Sequence, residues 1–538
     1  MDRPISSMSG FLRGIPFGSR VRFLTLVVLV AAFVTLLVKV EGSAPPIPFS
    51  NPPIIESAGG ILRATLTVAP AEVIVAGKIV KTTVYNGLYM PPVLKVQPGE
   101  TIRLRLINGR KSPAPTNVHY HGLGVSPKGH GDNVFIEVDP GDPPFNYNIP
   151  IPDDHPQGLF WYHPHFHPGV NSAIAAGLSG GLIIGNILAP LGDEYQNLTE
   201  RIVLLKDLKL DENGQPVPDP DPAGPTIRTI NGLFQPQIEI APGELQFWRI
   251  GNIGANIYYK LRFEEKLPFY IIGIDGNLQN QIIETRELLI PPASRYEVLV
   301  RGPKKGKYRL HAEAFNTGPA GDAYPHQLLA TLVSRGHKVD PIPLPSVFPP
   351  VTDLSELPLD FTRKVVFNDT DDPDVFVIDH KVYDHDRIDQ LVRLGDLEEW
   401  TVQNKSQELH VFHIHQTDFQ VTEINGVRQP FTGYQDTVTL PIATKKGPGE
   451  IKIRIPFTNP LIVGKFVYHC HIVQHADKGM MANIEVVHSL AKLDGERPGK
   501  LAAHSSHRSR ASVRRMPGVH LFTSGMKRPA VASERASP

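Results

Sequence analysis

"VQPGETIRLRLIN", residues 96–108, returns twice further along the chain, as "IAPGELQFWRIGN" (240–252) and "VRLGDLEEWTVQN" (392–404). Each copy reads as a turn, an acidic residue, a strand of alternating apolar residues and a closing Asn. The alternation Ile102, Leu104, Leu106 is the period-2 signature of a half-buried strand. A turn signal precedes each copy, at Asn86-Gly87, Asn231-Gly232 and Asp379-His380. One such turn and strand would mean little. Three at domain-sized spacing predict a triplicated unit.

Working outward, the 538 residues carry 52 prolines and 46 glycines, and that density of chain punctuation favours short strands between turns over long helices. We therefore expect an all-β chain of three Greek-key β-sandwiches, with domains over 58–190, 200–340 and 355–490. The proline-rich segment "SRGHKVDPIPLPSVFPPVTDLSELPLD" reads as the linker between the second and third.

The formal net charge of zero hides an uneven distribution. Residues 491–538 are rich in Arg, Ser and Lys without periodicity, and read as a solvated, basic, disordered tail with no nucleic-acid partner. Residues 1–44 place Arg13, Arg20 and Arg22 before the apolar run "FLTLVVLVAAFVTLLV" (23–38) and then Gly42-Ser43-Ala44. That is the order of an export signal, with a membrane anchor through 23–38 as the alternative. Either form predicts an exported body: secreted, periplasmic or anchored. A monomer is expected.

The chemistry is concentrated in "FVYHCHIVQHADKGMM", residues 466–481, which holds the chain's single cysteine between two histidines. One cysteine excludes an intramolecular disulfide. Around it stand four histidine clusters: His119 and His121; His163 and His165; His410, His413 and His415; and His469, His471 and His475. On a strand, residues i and i+2 face the same way, so a His-x-His pair presents two imidazoles together. The clusters follow the first and third repeats, whereas the second runs on to "NIGANIYYKLRF" with no histidine and reads as a spacer. Structural zinc would need more cysteines. One thiolate with two histidines and a weak methionine indicates copper electron transfer, and His410, Cys470, His475 and Met480 supply that set.

The four motifs His-x-His-Gly, Trp-Tyr-His-x-His, His-x-x-His-x-His and His-Cys-His-x-x-x-His-x-x-x-Gly-Met resemble those of the three-domain multicopper oxidases, the laccase family. The resemblance covers residues 58–490. It implies three cupredoxin domains and four copper ions: one type 1, one type 2 and a type 3 pair. Matched motif by motif, it assigns His119 and His413 to type 2 copper. His121, His163, His165, His415, His469 and His471 would hold the type 3 pair. Type 1 copper would take His410, Cys470 and His475, with Met480 axial. Electrons would enter at type 1 copper and pass through Cys470 to His469 and His471, and O2 would be reduced to water at the three-copper cluster.

Two acids join the catalytic set by the same resemblance. Asp132 matches the family's acidic residue near the three-copper cluster, where protons must arrive. Asp436, in "GYQDTVTLP", resembles a segment near the type 1 site, where it would orient a substrate or serve structure. In some relatives an acid follows the last type 1 histidine; Ala476 stands there in this chain. His130, His167, His380 and His385 read as loop or supporting residues. The expected electron donor is a phenol or aromatic amine, with a reduced metal, Cu(I), Fe(II) or Mn(II), as the rival. Only Met90, Met480 and Met481 lie in the body of the chain, which supplies no methionine-rich insert for cuprous ions.

Overall fold

The computed structural model describes residues 46–111, 114–217 and 225–489. The expected export segment and basic tail lie outside them. Among the described residues only two short α-helices occur, α1 (Val170–Ala176) and α2 (Val473–Asp477), and no helix is long and apolar enough to cross a membrane. The rest is built on strands arranged as three two-sheet sandwiches.

The three repeats occupy one topological position. Thr101–Asn108 pairs in parallel with Ile61–Val68 and antiparallel with Phe145–Pro150. Leu245–Asn252 stands likewise between Thr199–Leu205 and Arg295–Arg301, and Leu397–Asn404 between Phe361–Phe367 and Gly449–Pro456. Each strand is entered through the same turn, closed by a backbone bond from Glu100, Glu244 or Asp396 to the residue three earlier. Gly99, Gly243 and Gly395 hold φ of 81°, 86° and 99°, a left-handed conformation that costs glycine no Cβ clash. The closing asparagines are buried clamps: the Asn108, Asn252 and Asn404 side-chain amides donate to carbonyls further along the chain. That explains the final Asn of each repeat.

Two details depart from the sequence reading. The first sandwich begins before residue 58, because Ile54–Glu56 pairs with Val93–Val96. The proline-rich connection carries no strand from 335 to 353, yet it is tied down. Ile342, Leu344 and Phe348 pack on a core around Phe247 and Leu299, and the Arg301 guanidinium donates to the Ile342 carbonyl at 2.7 Å.

Candidate metal centres

Strand alternation separates two sites. In Gly464–Cys470, His469 and Cys470 face opposite ways, and the neighbouring strand His410–Ile414 pairs with it in register, Phe412 opposite Cys470 and His413 opposite His469. The odd spacing between His410 and His413 puts them on opposite faces too. One face therefore collects Cys470 and His410, the other His413 and His469. Not every His-x-His lies on one strand, however: His165, His415 and His471 sit just past strand ends, and Pro164, which has no N–H for a ladder, stops the strand at His163. Their rings still converge.

On the Cys470 face, Sγ stands 3.7 Å from Nδ1 of both His410 and His475, and those nitrogens are 3.2 Å apart. All three residues are buried. Burial pushes the Cys470 thiol up to about 12, so a bound cation is needed to hold it as thiolate. Met480 is fully buried, and its backbone ties the site together, donating to the His475 carbonyl and accepting from the Cys470 N–H. Phe376 stacks on His475 at 4.2 Å between ring centres.

On the other face, His119, His121, His163, His165, His413, His415, His469 and His471 form one buried cluster. Nε2 of His469 lies 3.2 Å from Nε2 of His165 and 3.3 Å from Nε2 of His415. His469 Nδ1 faces the Cys470 carbonyl, an acceptor only, so its proton sits there and Nε2 is a bare lone pair. His119 Nε2, His121 Nδ1, His163 Nε2, His413 Nε2 and both His471 nitrogens are buried without a partner. Orphaned buried polar atoms are costly, and this many in one place fit ligands for cations. Burial, then the neighbouring imidazoles, holds His121, His163, His165, His415, His469 and His471 well below the usual histidine range, in the neutral form a metal requires. The donor set fits copper at both sites.

Asp132 is fully enclosed. Its carboxylate accepts from His119 Nδ1 at 3.0 Å, from the Tyr120 N–H and from the Gln416 amide at 2.8 Å. It thus orients a ligand of the cluster, with Gln416, which the sequence did not flag, behind it.

Asp436 is not at the Cys470 face. Strand Thr437–Leu440 pairs antiparallel with the His410 strand, setting Thr437 opposite His413 and Leu440 opposite His410. The register carries Asp436 past the His413 end, into the histidine cluster. Its Oδ1 lies 3.2 Å from His121 Nε2, and its carbonyl accepts from His413 Nδ1 at 2.9 Å. The expectation that Asp436 orients a substrate at the type 1 site is therefore corrected. Burial alone would raise its pKa, but the Arg295 guanidinium and His413 hold it well below the usual carboxylate range.

His380 and His385 are exposed, and His130 Nδ1 donates to the Asn146 carbonyl at 2.7 Å. His167 borders the cluster, its ring 5.0 Å from that of His165 and its Nδ1 2.6 Å from Asp477. Two acids went unread in the sequence. Asp369 Oδ1 lies 3.0 Å from His410 Nε2, and Glu408 Oε1 lies 3.8 Å from His475 Nε2.

Three cupredoxin-like sandwiches, a site of one cysteine and two histidines, and a separate histidine cluster define a copper-dependent oxidoreductase that takes O2 as acceptor. The chain belongs to the multicopper oxidase family, whose profiles match residues 67–187, 195–336 and 356–489. It is 23% identical over 420 residues to the multicopper oxidase mco of Staphylococcus aureus, covering 76% of this chain and 85% of that one. Identity to a laccase of Bacillus subtilis is 25% over 472 residues, covering 75% and 89%. The cell division protein FtsP of Escherichia coli is also similar, at 23% over 485 residues, covering 86% and 96%. Among solved structures, a metallo-oxidase of Campylobacter jejuni superposes with a TM-score of 0.70 at 28% identity, covering 82% of this chain and 95% of that one.

Proposed function

We propose that the protein is a laccase-like oxidase, coupling one-electron oxidation of phenols or aromatic amines to four-electron reduction of O2 to water. One observation carries this reading. Cys470, 3.7 Å from two histidine nitrogens, is bonded through the backbone to His469 and His471 of the eight-histidine cluster. In this reading His410, Cys470, His475 and Met480 would hold type 1 copper. His119 and His413 hold type 2, and the other six histidines hold the type 3 pair. Bound copper would supply one-electron oxidation at the first site and O2 reduction at the second. The chain's own part is to keep the imidazoles neutral, exclude bulk water by burial, and join the two sites covalently through residues 469–471. Three domains, the first from Ile54 to about 190 and the others over 200–340 and 355–490, export through the N-terminal segment and a monomeric state complete the proposal.

A second reading, oxidation of a reduced metal ion, is favoured by Asp369. It sets a carboxylate against the outer nitrogen of His410, where a cationic donor would be attracted, while burial pushes the Glu408 carboxyl beside His475 up to about 8. O2 uptake by the copper-loaded protein, in buffer freed of other metals, separates the two. Turnover of a dimethoxyphenol-type donor is expected. A much higher specificity constant for Cu(I), Fe(II) or Mn(II) than for any phenol would overturn the laccase reading.

A further inference from the structure

The middle sandwich supplies no histidine to either site, yet one of its side chains reaches the histidine cluster. Arg295 opens strand Arg295–Arg301 and is wholly buried. Its Nε donates to the Leu159 carbonyl of the first sandwich at 3.1 Å. Its two terminal nitrogens fork onto Asp436 of the third, Nη1 to Oδ1 at 2.9 Å and Nη2 to Oδ2 at 2.7 Å. Asp275 fixes the arginine from behind, accepting from the Arg295 N–H at 2.8 Å, and also accepts from the Thr437 N–H at 3.2 Å. The glycine of His-x-His-Gly makes room for this fork. Gly122 has φ of 91°, and a Cβ there would come within 2.6 Å of Arg295 Nη2 and 2.8 Å of Asp436 Oδ2.

What the fork holds in place is an acceptor pair. A carboxylate and a carbonyl cannot donate, so each imidazole nitrogen bonded to Asp436 must carry the proton. His121, facing Oδ1 with Nε2, is left with a bare Nδ1. His413, facing the carbonyl with Nδ1, is left with a bare Nε2. Those two bare nitrogens are both among the buried atoms that lack any partner.

We infer that Arg295 is a positioning residue for the three-copper cluster: by holding Asp436 in a two-point fork it sets the tautomers of His121 and His413, so that Nδ1 of the first and Nε2 of the second face copper. The middle sandwich is then part of the metal site rather than a spacer. The inference rests on the copper assignment proposed above. It assigns Asp436 an orienting task, through two ligands from different sandwiches, in place of a substrate contact.

Arg295→Lys and Asp436→Asn test it. Lysine keeps the charge but cannot span both oxygens, and asparagine keeps the shape but not the two-oxygen acceptor. Copper content per chain and the type 2 electron paramagnetic resonance signal are read beside the blue absorption of the Cys470 site. Both variants should alter the type 2 signal and weaken copper retention at the cluster by about 10–100-fold, the usual cost of losing an outer-shell partner, while the blue band persists. If Arg295→Lys does not fold, the isosteric Asp436→Asn decides alone. Wild-type copper retention and an unchanged type 2 signal in the folded variants, with only the melting temperature moved, overturn the inference. A wild-type protein that shows the blue band but no type 2 signal instead overturns the copper assignment beneath it.

Discussion

His165 and His469, 304 positions apart in the sequence, bring their Nε2 atoms to 3.2 Å from each other deep inside the protein. With the His469 proton committed to the Cys470 carbonyl, at most one proton could sit between them. His415 Nε2 crowds the same point from 3.3 Å. Three nitrogens aimed at one spot, with so few protons to share, are an arrangement that a cation completes. The fold holds the first and third sandwiches together at that spot.

On the proposed reading, the electron path depends on Cys470. Cys470→Ser should abolish the intense blue colour, which arises from thiolate-to-copper charge transfer, and with it donor oxidation. The eight-histidine cluster contains no thiolate and should keep most of its copper. Visible absorption and copper analysis check this together. A colourless wild type with its full complement of copper would remove the basis for the type 1 assignment.

Met480 bears on the potential of that site. A weak axial thioether stabilises oxidised copper, so Met480→Leu should raise the potential in a redox titration of the blue band. The variant is close in volume, and the backbone bonds from Met480 to His475 and Cys470 are untouched. No shift, or a fall, would remove Met480 from the axial position.

Asp132 accepts from His119, and on the proposed reading it lies on the path of protons for O2 reduction. Asp132→Asn can still accept from the His119 and Tyr120 N–H groups but loses the charge. Reoxidation of the reduced protein by O2 should slow by about 10–100-fold, with bleaching of the blue band by donor unchanged. Stopped-flow measurement of both half-reactions checks it. Equal losses in the two would show general misfolding.

How much of this was legible in the sequence follows from the range of the contacts. Every proposed ligand sits in a local motif, and strand alternation sorts His119, His121, His163, His410, His413, His469 and Cys470 onto faces, although His165, His415, His471, His475 and Met480 lie outside the strands. The triplication was legible for a similar reason: each copy repeats its own turn, strand and Asn clamp. Arg295 left no such trace. Its partner Asp436 is 141 positions away, and neither lies in a periodic pattern that marks a meeting. Asp436 was misplaced because its strand runs antiparallel to that of His410, and register, not sequence distance, decides which end it reaches. Asp369 and Glu408 were invisible for the opposite reason. Short acids near turns are common, and only the folded chain shows them against His410 and His475.

His155 should make stability depend on pH without touching either metal site. It is buried, its Nδ1 facing the Pro156 carbonyl at 2.8 Å and its Nε2 accepting from the Gly124 N–H at 3.2 Å. That geometry suits the neutral ring, and burial lowers its pKa to about 4. The unfolded chain protonates this histidine near pH ~6.5, whereas the folded chain waits until about 4. Between those values the unfolded state binds more protons, so stability rises with pH and is lost as pH falls, by about 3 kcal/mol in all. His155→Gln can keep both hydrogen bonds and has no proton to take up. The variant should therefore gain on wild type as pH falls through that window, seen as a narrowing or reversed gap in melting temperature. A gap independent of pH would show that His155 is not held neutral.

Donor preference should depend on the acids beside His410 and His475. Asp369 and Glu408 lie against the outer nitrogens of His410 and His475, the atoms of the type 1 site that point away from Cys470. Burial, with Asp322 and Asp369 nearby, pushes the Glu408 carboxyl up to about 8, so near neutral pH the negative charge there is that of Asp369, which should raise the local concentration of cationic donors and do little for neutral ones. Asp369→Asn keeps the side-chain shape while removing that charge, and Glu408→Gln should add to the effect only above about pH 8. For cationic aromatic amines or reduced metal ions, kcat/KM should fall by about 10-fold, the size expected from losing about 1.4 kcal/mol of attraction, and mainly through KM. For a neutral phenol the change should be small, and rising salt should reduce wild type towards the variants with cationic donors only. Equal losses for charged and neutral donors would mean that the carboxylates act on the copper site itself, through its potential, rather than on the approach of the donor. A redox titration of the blue band in the same variants distinguishes these outcomes, because only an effect on the site moves its midpoint.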